Sequence, residues 1–137
     1  MGKLRYRDFM QKIEFTKMHG LGNDFVIIDR RSNKIEINDN LIQKLSDRRT
    51  GAGCDQLITI NNPSSRNADV SIDIFNPAGD KADACGNGTR CAANLISKEK
   101  NSNSIILKTL SGKLKSEILE KKSVTTDIGK AKLTWDE

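Results

Sequence analysis

A chain of 137 residues is one domain's worth of sequence, and with 36% apolar and only 4% aromatic residues its core must be built from Ile, Leu, Val and Ala. The net charge of +5 does not signal nucleic-acid binding, because Lys3, Arg5, Arg7 and Lys12 against Asp8 concentrate most of it in the first twelve residues. No run approaches the roughly 18 apolar residues of a membrane span, and three cysteines without a CxxC, beside one histidine, form neither a disulfide framework nor a metal site. Without a secretory signal, the chain reads as cytoplasmic, with thiols kept free.

Residues 1–11 show no period and read as a flexible basic leader, with Met10 as an alternative start; the organised domain is 12–137. Ile13–Met18 alternates as a strand, with Ile13, Phe15 and Lys17 on one face. His19–Asp24 is a glycine-broken turn and Phe25–Asp29 a continuous apolar strand. Asn38 or Asp39 can cap a helix over Asn40–Arg49, with Leu41, Ile42 and Leu45 as its buried stripe and Gly51 as its stop. Leu57–Ile60 and Val70–Phe75 are β-branched strands on either side of a loop over Asn61–Asn67.

A second helix spans Gly86–Lys98, with Cys91, Ala92, Leu95 and Ile96 facing inward. Its small residues suit a helix packed closely by strands on several sides. Ser104–Lys108, Lys113–Leu119 and Val124–Ile128 complete about seven strands and two helices, an α+β pattern with mostly antiparallel neighbours. Lys130–Glu137 carries neither a cap nor a docking helix, which reads as the end of a fragment.

The densest chemistry is Asp83-Ala84-Cys85-Gly86-Asn87-Gly88-Thr89-Arg90, a thiol just before a helix with two glycines in its first turn. Unpaired N–H groups at a helix start favour negative charge, lower the pKa of a nearby thiol and bind carboxylates. The glycines keep those amides open to a ligand. Taken alone, the segment is equally well an ordinary tight turn. Gly20-Leu21-Gly22-Asn23-Asp24-Phe25, Thr50-Gly51-Ala52-Gly53-Cys54-Asp55-Gln56 and Phe75-Asn76-Pro77-Ala78-Gly79 are three more turns that present a short polar side chain at an element end. Each alone has the residues of any turn; four together suit a small zwitterion.

With these blocks in view the sequence resembles the diaminopimelate epimerases. Phe15–Phe25, Asp47–Leu57, Ile74–Gly79 and Ala84–Cys91 are similar to that family's successive motifs in order and spacing, and the likeness extends over about 13–130. The resemblance implies a mixed, mostly antiparallel sheet rolled around a central helix, one half of a pseudo-two-fold fold. It implies that Cys85 is one of two acid/base thiols and that Gly86 and Asn87 hold the reacting α-carboxylate. Asn23, Gln56 and Asn76 would bind the substrate's other polar groups. The implied reaction interconverts LL- and meso-diaminopimelate for lysine and peptidoglycan precursors, with no cofactor, pyridoxal phosphate and metal included. The implied partner is a small-molecule substrate, not nucleic acid or membrane.

Inversion at carbon requires a base on each face, and only one thiol here stands in such a motif. Cys91 lies six residues on, roughly 240° round and 9 Å along an ideal helix, which makes it a core thiol. Cys54, in a glycine turn, reads as structural. In the family the opposing thiol, with a Cys-Gly-Ser-Gly-type signature, and a Glu-Arg-Gly segment come from a second half. Neither motif occurs in these residues. The expectation is an N-terminal half that is inactive unless completed by the missing C-terminal half or by a homodimer that mimics it. The alternatives are an inactive half-domain acting as a binding or regulatory partner, and a related racemase or isomerase of the same fold.

Overall fold

The computed structural model describes residues 12–83, 85–120 and 123–130. The leader expected over 1–11 and most of the tail from Lys130 lie outside them. The described residues form one sheet, ordered β1-β2-β3-β4-β6-β7-β8, with the short β5 paired to β4. The strands are β1 Thr16–Gly20, β2 Asn23–Asp29, β3 Gln56–Asn61, β4 Val70–Phe75, β5 Lys81–Ala82, β6 Ser104–Thr109, β7 Gly112–Ile118 and β8 Val124–Thr126; the helices are α1 Asp39–Ser46 and α2 Gly86–Lys100. Five of the strand pairings are antiparallel, while β2–β3 and β4–β6 are parallel. The α+β class and the mostly antiparallel sheet follow the sequence expectation.

The sheet curls around α2, which touches β1, β2, β3, β6, β7 and β8, while α1 lies against β3 on the opposite side. Period-two alternation sends successive side chains of β2 to opposite faces, and both faces are buried, which explains its unbroken apolar run over residues 25–28. Phe25 and Ile27 face α2 in a core completed by Ile58, Ile60, Ile72, Ile96, Ile105 and Leu107. Val26 and Ile28 face the other way, onto Ile35, Cys54, Leu57 and the partly buried Leu41 and Leu45. Ala92, Ala93 and Ile96 of α2 are fully buried. Two consecutive alanines let the sheet close on the helix from several sides.

The element ends differ from the sequence expectation where side-chain chemistry overrides periodicity. The turn expected over His19–Asp24 is only Leu21-Gly22, both at positive φ (54° and 84°). The strands therefore run into it, and Gly20 pairs with Asn23. Phe15 precedes β1 and is 44% exposed, so the strand face expected for it is not formed. Helix α1 is capped by Asn38, whose side chain accepts from Leu41 N, but it stops at Ser46 rather than Arg49. The Asp47 carboxylate there accepts from the amides of Arg49 and Thr50, turning the chain before Gly51 is reached. The fully buried members of α1 are Ile42 and Ser46; Leu41 and Leu45 are only partly covered. Helix α2 continues two residues beyond expectation, to Lys100, and closes on Asn101 in the left-handed region. Strand β5, two residues long, is the element that the sequence pattern did not reveal.

Candidate active site

Strand register gathers the polar turns at one end of the sheet. Strands β2 and β3 run parallel with Phe25 opposite Gln56, so both start at the same edge. Strand β4 runs antiparallel to β3 with Phe75 opposite Leu57, so Asn76 emerges at the level of Gln56. The two side chains meet there: Gln56 Nε2 donates to Asn76 Oδ1 at 2.9 Å. Asn23 stands at the start of β2, at the same edge.

Cys85 is the N-cap of α2, and its sulfur accepts from Gly88 N at 3.4 Å. The thiol is partly buried and reaches Asn23 Oδ1 at 3.7 Å. Asn87 Nδ2 donates to the same oxygen at 3.4 Å, and Asn87 Oδ1 accepts from Arg90. The first turn of α2 is pressed onto the sheet at Gly88, where a Cβ would meet Ile58 Cδ1 at 3.0 Å and Phe25 Cε1 at 3.2 Å. Gly86 is open by contrast, with only the Arg90 guanidinium near its Cβ position, at 3.5 Å. The amides of Gly86 and Asn87 have no intrahelical acceptor by helix geometry.

A charged cluster adjoins the thiol and holds Asn23. Asn23 Nδ2 donates to Asp55 Oδ2 at 2.9 Å, and Asp24 N donates to the same oxygen at 3.0 Å. Arg48 donates to both Asp24 oxygens, at 3.0 and 2.7 Å, and to Asp55 Oδ1 at 2.9 Å. Lys17 adds an ion pair to Asp24 at 2.8 Å. The Arg48 guanidinium, followed by Lys17, holds the Asp24 carboxyl far below the usual carboxylate range. The Asn23 amide and Asp24 N–H lower that of Asp55. Two open concavities, of about 490 and 590 Å³, lie on either side of the β1–β2 hairpin, the first lined by this cluster and the second by His19, Leu21, Arg90, Asn94 and Val124. Cys85, partly buried, lines neither.

The geometry thus brings together Cys85, Asn23 and Asn87 through direct contacts and Gln56 with Asn76 as a second bonded pair. Among the described residues no hydrogen bond joins the two groups. Cys91 lies in the core at 5% exposure, and burial pushes its thiol up. Cys54 is buried too, its sulfur 3.5 Å from Ser46 Oγ. Both therefore take the structural roles expected of them. Asp55, Asp80 and Arg90 hold the polar residues directly, and Arg48 holds Asp55; the sequence pattern assigns none of the four a role. The signal available was that Asp55 stands beside Gln56 and Asp80 just beyond Asn76 in turns already singled out.

The family model for diaminopimelate epimerase matches residues 15–134. The diaminopimelate epimerase of Pelagibacter ubique is 48% identical over 125 residues, covering 91% of this chain and 44% of the relative. That of Zymomonas mobilis is 45% identical over 123 residues, covering 90% and 43%. The chain spans less than half the length of these curated relatives. Among solved structures, methylitaconate-delta-isomerase superposes with a TM-score of 0.65 at 15% identity, over 83% of this chain and 62% of that one. A hydroxyproline epimerase from Agrobacterium vitis gives 0.63 at 12% identity, over 82% and 40%. At those identities the likeness shows the fold, that of epimerases and isomerases. The family match and the identities show more: the chain belongs to the diaminopimelate epimerase family.

Proposed function

We propose that this member of the diaminopimelate epimerase family supplies one catalytic face of a two-thiol site that interconverts LL- and meso-diaminopimelate in the cytoplasm. The observation that carries the reading is the placement of Cys85 as N-cap of α2, with Gly88 N on its sulfur and Asn23 Oδ1 3.7 Å away. Cys85, as thiolate, removes the α-proton from one face of the substrate. The electron pair left on carbon delocalises into the α-carboxylate, where charge grows in the transition state. The open amides of Gly86 and Asn87 are the donors for that charge, and fixed donors of this kind contribute a few kcal/mol each in a site that excludes water. A protonated thiol on the opposite face returns a proton to carbon and completes inversion.

Asn23, Gln56 and Asn76 bind the substrate's remaining polar groups at the sheet end. Cys91 and Cys54 are buried and serve neither face. The opposing thiol comes from outside these residues, from a second half of the kind that makes the relatives about twice as long, or from a second copy of this chain. Light scattering on the chain at high concentration separates the two sources: a dimer supports the second copy, and a monomer leaves the second half.

The direct test is α-proton exchange of LL-diaminopimelate in deuterated water, read by mass spectrometry. Exchange by the wild type and none by Cys85→Ala supports a working half-site. Equal exchange by both removes Cys85 from the chemistry. No exchange by either favours a binding role or an incomplete half that is inactive alone.

A further inference from the structure

Three side-chain amides at this end of the sheet are each bonded to a charged group that can act in only one sense. Asn23 Nδ2 donates to Asp55, Asn76 Nδ2 donates to Asp80 Oδ2 at 2.7 Å, and Asn87 Oδ1 accepts from Arg90. A carboxylate offers only acceptors and a guanidinium only donors, so each charge dictates which end of its amide turns toward it. The effect propagates furthest from Asp80. With Nδ2 of Asn76 committed to Asp80, Oδ1 is the end left for Gln56, and it accepts from Gln56 Nε2 at 2.9 Å. Gln56 Oε1 is then the end of the relay, with no hydrogen bond from the described residues.

The turn carrying Asp80 is anchored, which makes its position a built feature. Asn76 N donates to Asp80 O, and Gly79 N donates to Asn76 O, both at 2.9 Å. Gly79, at φ 110°, lies so close to α1 that a Cβ would stand 2.6 Å from Asp39 Oδ1. Gln43 of α1 also donates to Ala78 O at 3.0 Å.

We infer that Asp80 is a positioning residue that, through Asn76, holds the Gln56 amide with its carbonyl oxygen uncommitted, so that Gln56 recognises an ammonium donor of the substrate rather than a carboxylate. The inference rests on the zwitterion-binding reading proposed above. It assigns to Gln56 the polarity of its contact and to Asp80 the control of that polarity. A donor-only residue in place of Asp80 turns Asn76 over, and Asn76 in turn presents Nδ2 to Gln56. Gln56 then offers Nε2 outward, and the preference for an amine is lost.

The test titrates the ¹⁵N-labelled chain with LL-diaminopimelate and with 2-aminopimelate, which keeps both carboxylates and lacks one amine. The wild type is expected to bind the diamine about tenfold more tightly, the value of one good hydrogen bond. Asp80→Lys is expected to bring the ratio near one and to move the side-chain amide resonances of Asn76 and Gln56. Asp83→Lys makes the same charge change nearby and is expected to keep the ratio. Equal losses in the two variants, or a wild-type ratio near one with shifts at the Cys85, Gly86 and Asn87 amides, overturn the inference. If neither compound moves those amides, the zwitterion-site reading fails instead. The relay is then judged by the Gln56 side-chain resonance, which Asp80→Ala must shift and which stays in place if the relay is wrong.

Discussion

Gly51→Ala is expected to destabilise the chain by more than its exposed loop position suggests. A Cβ at Gly51 would fall on the Lys44 carbonyl oxygen, well inside contact distance, and would lie 2.9 Å from Leu45 O and 3.0 Å from Asp47 O. All three are backbone atoms of the last turn of α1 and its cap, so no side-chain rotation relieves the clash. Separating the segments strains the bonds from Gly51 N to Asp47 O and from Gly53 N to Leu45 O, both 2.9 Å. Two weakened backbone hydrogen bonds cost about 0.5–1.5 kcal/mol each, and forced overpacking typically costs about 1–3 kcal/mol. Alanine's stiffening of the unfolded chain offsets only about 0.4–1 kcal/mol. The net loss is about 1–5.5 kcal/mol, which at a urea m-value of about 2 kcal/mol/M lowers the midpoint by roughly 0.5–3 M. Far-UV circular dichroism in urea measures it. An unchanged or raised midpoint would refute the packing argument, because unfolded-state stiffening alone predicts a small rise.

Iodoacetamide followed by peptide mapping is expected to modify Cys85 in the native chain and to reach Cys54 and Cys91 only after unfolding, since both are buried and burial raises the Cys91 thiol's pKa. Ile96→Ala, at a fully buried position between α2 and the sheet, is expected to cost about 2–5 kcal/mol in the same urea assay. Asp24, Asp55, Asp29, Asp47 and Glu99 all have folded pKa values depressed by their partners. Their stabilisation is present above the unfolded carboxylate values near 4 and is lost as pH falls through the lower folded values. Acid titration is therefore expected to show stability falling below about pH 4, with a shallower fall in Asp24→Asn. Equal slopes in the two proteins would count against the Arg48–Asp24 pair.

The elements were legible where one chemical signal dominated. The unbroken apolar run of β2 announced a strand buried on both faces, and small residues behind Cys85-Gly86-Asn87-Gly88 announced a tightly packed helix with a thiol at its start. The ends of elements were less legible because they depend on single contacts. The Asp47 carboxylate ends α1 before Gly51 is reached, and Gly51 is needed for closeness to three carbonyls rather than for a left-handed φ. Leu21 occupies a left-handed turn position that its side chain does not advertise. The polar residues of the site could be named, but their support could not. Asn23 meets Asp55 across 32 positions and Cys85 across 62, separations set by sheet register and by the path of β5 into α2. Register is a property of paired strands, and no one strand's pattern contains it.

Cys85 is proposed to serve one face of the substrate carbon, with no group among the described residues serving the second. The most direct test mixes the chain with the second half of a full-length diaminopimelate epimerase and follows LL-diaminopimelate in deuterated water for both deuterium uptake and conversion to the meso form. Conversion is expected only in the mixture, with one deuterium at the inverted carbon, and is expected to be lost with Cys85→Ala. Conversion by the monomeric chain alone, or by the Cys85→Ala mixture at the wild-type rate, would contradict it.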